Sequence, residues 1–169
     1  MNDIAKSCKM SVPDLYKVFY DKEQIAISVM TYAQDYFEKE IFIYAYDKEL
    51  NHVERLIRLN YAVEKYFSVG NSGCIFVNFT IETIGHVPAF IVPIRKYFDS
   101  FSNAYRTILL GSYDENSAQS LADDFVSDLQ GALIMTRVTG TISPLRRLSL
   151  RLLQSLNSNG EPFDLASTN

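Results

Sequence analysis

Cysteine is scarce in this 169-residue sequence: Cys8 and Cys74 are the only two, and no C-x-x-C spacing occurs. A disulfide framework is therefore excluded. Histidine is equally thin, with His52 and His86 far apart and no cysteine nearby, so a structural zinc site lacks ligands. No metal and no cofactor is expected. Seven glycines and five prolines are too few for a collagen-like or low-complexity chain. Long apolar runs are missing too. The uncharged stretch 67–81 is broken by Ser68, Gly70, Asn71, Ser72, Gly73 and Asn78, short of the roughly 20 apolar residues a membrane helix requires. The opening Met-Asn-Asp-Ile-Ala-Lys carries no apolar segment of a secretion signal. The expectation is a soluble cytoplasmic protein that does not engage a membrane. Basic charge is also short, with 16 Lys+Arg against 20 Asp+Glu and a pI near 5.2, which speaks against a globally basic nucleic-acid binder.

What the chain does have is apolar matter, 47% of its residues, enough for a real core and against disorder. Its periodicity is helical nearly throughout. Ile25, Val29, Tyr32, Ala33, Tyr36 and Phe37 keep to one side of a helix that Asp21 can cap. A second helix is predicted over 48–67, followed by a turn at Gly70-Asn71-Ser72-Gly73 and a third helix over 74–84 closing at Gly85. Pro88 opens a segment whose apolar residues recur at three and four until Gly111. Two further helices are predicted over 117–139 and 144–156, separated by Gly140 and Pro144. Residues 41–46 have strand propensity but sit in helical phase with their neighbours. The fold class is all-α.

Residues 2–25 carry the most information. Short helices over 3–8 and 13–19 flank a turn at Lys9-Met10-Ser11, with Ser11 a good cap and Pro13 harmless in a first turn. Ile4, Ala5, Met10, Leu15 and Phe19 supply a small contact set between them. This is helix-turn-helix grammar.

Asp3-Ile4-Ala5, Met10-Ser11, Leu15-Tyr16, Phe19 and Lys22-Glu23, in that order and spacing, resemble the second to fourth helices of the TetR/AcrR family of bacterial transcriptional regulators. A looser likeness lies in 72–78, similar to the opening of that family's sixth helix. Leu129-Gln130-Gly131-Ala132-Leu133 and Pro144-Leu145-Arg146-Arg147 are similar to its last two helices. The resemblance implies a partial helix-turn-helix over 1–25 and a helical ligand-binding and dimerisation domain over 26–157; the polar, Gly- and Pro-containing end is expected to be a flexible tail over 158–169. Family members carry a further helix ahead of the one near Asn2. The sequence starts without it, read either as a start at an internal methionine or as a truncation. Lys9 stands where the family has a turn glycine, and Pro13 where it has a small residue against DNA.

The resemblance also implies roles. Tyr16 and Lys22 match backbone-contacting positions, while Val12, Pro13, Asp14 and Lys17 occupy the outward side of the recognition helix, where base contacts lie. Four bases and four acids balance in residues 1–25, so operator DNA affinity is expected to be weakened or lost. The pocket candidates are Tyr32, Phe37, Tyr61, Phe76, Phe79, Phe98, Phe101 and Tyr105, with Asn78, Glu82, Arg106 and His86 as polar anchors, for a small apolar or weakly charged effector. Each such aromatic is also read as plain core. Leu121, Phe125, Leu129 and Leu133 with Leu145, Leu148, Leu152 and Leu156 are expected to form a homodimer bundle, the last helix having a face too broad for one neighbour. Acids on one helix and arginines on the next favour their pairing.

No G-x-S-x-G, H-E-x-x-H or phosphate-loop motif occurs, so no enzyme is expected. Cys74 reads as inert packing, and Asp123, Asp124 and Asp128 as a solvated face. The expectation is a ligand-responsive repressor, with a binding module that no longer engages DNA as the alternative.

Overall fold

Short polar side chains open the helices. Ser11 Oγ accepts from the Asp14 amide at 3.2 Å to start α2, Val12–Val18, and Asp21 Oδ1 accepts from Gln24 N at 2.8 Å to start α3, Lys22–Tyr36. Ahead of them lies α1, Asn2–Ser7. The α1–α2 turn passes through Lys9 at φ 55°, the left-handed region, so that Met10 N can reach Ala5 O at 2.9 Å. Lys9 does the work of the missing glycine. The computed structural model describes residues 1–69, 73–83 and 85–157, without the Asn157 side chain. Three expectations lie outside that set: the turn at 70–72, the helix end at Ile84 and the tail 158–169.

The stretch with strand propensity is helical but irregular. A π turn, Phe37–Ile41, continues α3 and gives way to a 3-10 turn, Phe42–Ala45. The next helix, α4, is His52–Ser68 and starts four residues later than expected. Asn51 and Glu54 explain the shift: Glu54 N donates to Asn51 Oδ1 at 3.0 Å while Asn51 N donates to Glu54 Oε2 at 3.1 Å. Then follow α5, Ile75–Thr83, and α6, Ile91–Leu109, the latter entered through a short 3-10 turn at Pro88–Phe90. Gly85 does not adopt a left-handed cap conformation, because His86 N and Val87 N both return to Thr83 O at 2.8 Å without it. Asp114 caps α7, Glu115–Thr139, which ends on Gly140 at φ 68°; α8 is Ser143–Asn157. Among the described residues every regular element is helical, and no helix is long and apolar enough to cross a membrane.

The main core lies between α4, α6, α7 and α8, with the π and 3-10 turns at one end. Its centre is aromatic. Phe76 and Tyr97 stack at 3.8 Å, and Phe37 meets Tyr97 edge-on at 5.1 Å. The Cys74 thiol donates toward the Tyr97 hydroxyl at 3.9 Å, and burial pushes both the thiol and the phenol up, so both stay neutral. Ala5 and Leu15 are buried separately, in the small α1–α2 contact. Met10, expected there, is exposed because the turn carries it outward.

The expected dimer residues require a correction. Phe125, Leu129, Leu133, Leu145, Leu148, Leu152 and Leu156 are all buried within this one chain, and Leu121 is half-buried against the same core. The last helix is covered by two neighbours rather than one, since α4 and α7 both pack on it. Asn60 Nδ2 donates to Ser149 O at 3.5 Å, Arg146 pairs with Glu64 at 3.3 Å, and Arg151 meets Asp128 at 3.7 Å. The acid-against-base arrangement of α7 and α8 therefore includes a contact inside the chain. Outward-facing apolar side chains on these helices are Ile134, Met135, Val138 and Leu150.

Candidate functional site: a tyrosine-walled cleft joined to the helix-turn-helix

Two helical stripes face each other across a gap. On α3 the stripe is Val29, Tyr32, Ala33 and Tyr36, continued by Glu40, Ile41 and Tyr44; on α4 it is Tyr61, Ala62, Lys65 and Tyr66, with Val69 just past its end. Gly73, Ile75 and Asn78 close one side, Phe67 lies at the base, and the cleft encloses about 910 Å³, within the size range of sites for drug-sized molecules. The space exists because three positions along it are small. Ala33 and Ala62 both line it, and a Cβ on Gly73 would meet nothing within 4 Å.

The walls are aromatic and partly wet. Tyr36 and Tyr66 approach at 5.5 Å, while Tyr32 and Tyr61 stand at the lips, 75% and 68% exposed. Burial raises the Tyr66 phenol above its usual value, with Cys74, Tyr36 and Tyr32 adding to the effect, so it stays protonated and can donate. Lys65 and Glu40 are the charged groups lining the cleft.

Of the sequence-predicted pocket residues, Tyr32, Tyr61 and Asn78 line this cleft. The others do not. Phe37, Phe76, Phe101 and Tyr105 are fully buried among other rings, and the Tyr105 hydroxyl donates to Asn60 Oδ1 at 2.8 Å. Phe79 packs edge-on against Phe90 at 5.4 Å, and Phe98 faces a smaller groove with Asp123 and Gln130 between α6 and α7. Glu82 and His86 are exposed beyond the cleft. Arg106 pairs with Glu115 in the first turn of α7. Tyr36, Tyr44, Lys65 and Tyr66 were missed; for Tyr36 and Tyr66 the available signal was an alanine, Ala33 or Ala62, three or four residues earlier on the same helix.

The residues expected to meet DNA lie on α2 and at the start of α3. Pro13, Asp14, Tyr16, Lys17 and Lys22 are exposed and Val12 is half-buried; Tyr16 is 52% exposed, so it is not core packing. Asp14, however, is engaged on both oxygens: Lys17 Nζ donates to Oδ1 at 2.7 Å and Ser11 Oγ to Oδ2 at 2.6 Å. These bonds hold the carboxyl below its usual range, Lys17 contributing most. Tyr20, 85% exposed beside this module, was not anticipated. Asp123 and Asp128 are tied to Ser102 and Arg151. Among the described residues no three His, Cys, Asp or Glu side chains gather as a metal set.

The family model described as "Transcriptional regulator LmrA/YxaF-like, C-terminal domain" matches residues 61–150, more than half of the chain. Among solved structures, a TetR transcriptional regulator from Legionella pneumophila superposes with a TM-score of 0.83 at 19% identity, over 91% of this chain and 84% of that one. The likeness is one of fold. A search of curated proteins finds no match.

Proposed function

We propose a function from one premise: this chain belongs to the TetR family of transcriptional regulators. It acts as a ligand-responsive, non-enzymatic regulator that engages operator DNA as a homodimer, with the cleft as effector site and repression as the default. The observation that carries the reading is the position of α3. One continuous helix begins at Lys22, three residues after α2 gives way to Phe19, and forms a wall of the cleft with Val29, Tyr32, Ala33 and Tyr36. A molecule that pushes α3 and α4 apart tilts the helix that carries the DNA-reading module. Two distinct sites then share one mechanical element, which is what allosteric coupling requires.

Dimerisation uses the outward faces of α7 and α8. Gly131, Ile134, Met135 and Val138 on α7 and Leu150 on α8 leave apolar surface in water, next to Asp124 on one helix and Arg147 on the other. A two-fold axis there lets acid meet base across the seam.

A second reading, a ligand-binding module that no longer engages DNA, is favoured by the Asp14–Lys17 pair, which neutralises a base on the recognition helix. One experiment separates the two. Compounds that raise the melting temperature are added to the protein bound to a fluorescent duplex from the DNA flanking its own gene, at physiological salt. Release of the duplex supports the regulator; a chain that binds such compounds but never the duplex supports the module.

A further inference from the structure

Most rings in the core are already engaged with one another. Phe37, Phe42, Phe76, Tyr97, Phe101 and Tyr105 meet at centroid separations from 3.8 to 5.8 Å. Tyr32, Tyr44 and Tyr61 differ: among the described residues none of them has a ring partner, and all three line the cleft. Ring faces left unpaired across a gap favour a third ring between them. The gap also contains a cation. Lys65 forms no ion pair among the described residues, and its neighbour Glu64 is engaged by Arg146 at 3.3 Å. Glu40 lies where this cleft meets a shallower depression bordered by Lys39, Tyr46 and Asp47, and it disfavours a second negative charge on the occupant.

We infer that the effector is a flat aromatic molecule carrying one acidic group, seated between Tyr32 and Tyr61 over the Tyr36–Tyr66 pair, with its anion at Lys65. This rests on reading the cleft as the effector site. The rings supply dispersion and edge-to-face contact with little side-chain ordering, and the ammonium selects the acid over its neutral analogue. An aliphatic acid of the same charge would satisfy Lys65 and leave the ring faces unpaired.

The probes are 2-naphthoate, 2-naphthol and decanoate, titrated by calorimetry into the full chain. Tyrosine emission is a second readout, direct because the sequence has no tryptophan. Naphthoate is expected to bind more tightly than either of the others. Lys65→Gln should weaken naphthoate about fivefold, the scale of an exposed ion pair, and leave naphthol unchanged. Tyr32→Leu and Tyr61→Leu should weaken both naphthyl probes and leave the helical circular dichroism unchanged, since both side chains are exposed. Decanoate binding as tightly as naphthoate, a Lys65→Gln chain with unaltered naphthoate affinity, or no naphthyl binding at all overturns the inference. Failure of the regulator reading looks different: naphthoate then binds through Lys65 without altering DNA affinity.

Discussion

Lys17 Nζ lies 2.7 Å from Asp14 Oδ1 on the exposed side of α2, the helix proposed to read DNA. The carboxylate both occupies the ammonium and repels phosphates. Because the pair lowers the Asp14 pKa, the carboxylate remains charged at any pH at which the protein would meet DNA.

Asp14→Asn should therefore raise non-specific DNA affinity. It keeps the side chain's size at the start of α2 and frees Lys17 for a phosphate. The salt dependence of binding should steepen by about one counterion. Anisotropy titrations at several salt concentrations check this; an unchanged slope means that Lys17 does not meet the backbone.

Lys9 holds φ 55° in the turn between α1 and α2. A side chain in that region is strained by roughly 1–2 kcal/mol, which glycine relieves while making the unfolded chain more flexible. Lys9→Gly should stabilise the module by about 1 kcal/mol or less, read as a higher denaturant midpoint. Lys9→Val should do the opposite, because a branched side chain fits the region worst.

Gly111 sits against His52. A Cβ there would fall 2.5 Å from His52 Cγ and 2.6 Å from its Cβ, near the base of the side chain, where no rotamer change makes room. Gly111→Ala should cost about 1–3 kcal/mol and break the 3.0 Å contact between Ser112 Oγ and His52 Nε2. His52→Gly, which removes both the ring and the Cβ that clash, should recover much of the loss in the double variant. Additive losses in a thermal-melt cycle would contradict the clash.

The outward faces of α7 and α8 give the oligomer test. Met135→Glu with Leu150→Glu should yield folded monomers in sedimentation. Leu148→Glu should unfold the chain instead, because Leu148 is 6% exposed within its own protomer and a carboxylate there has no partner. A wild-type chain that is already monomeric at micromolar concentration removes the proposed seam.

The helices were largely legible because caps and periodicity are local. Ser11 and Asp21 open helices where expected, and Asn51 with Glu54 would have placed the α4 start had the reciprocal pair been weighed. The cleft was not legible for a related reason. Periodicity says which residues share a side of a helix, whereas α4, α6 and α8 each pack against more than one neighbour. Rings assigned to a cavity, such as Phe76 and Phe101, instead fill the space between helices by stacking on one another. The cavity appears where side chains are small, at Ala33, Ala62 and Gly73. A search for large residues looks past that feature. The α8 leucines were misplaced by the same logic: a face too broad for one neighbour has two neighbours in the chain itself.

The π turn between Tyr36 and Phe42 decides which side chains can serve the cleft at all. Stepping by four along a regular α-helix overshoots a full revolution by about 40°, so three such steps, from Tyr32 to Tyr44, would leave the last ring about a third of a revolution away. The wider turn advances less per residue. That slower pitch brings Glu40 back into line with Tyr32 and Tyr36, and the wall continues to Tyr44 through the 3-10 turn. It also means that this stretch holds one residue more than an α-helical path needs. Removing the exposed Lys39 would tighten the winding to ordinary pitch and leave both flanks aligned, whereas the same deletion a turn earlier, in α3, would rotate the tyrosine wall away from α4.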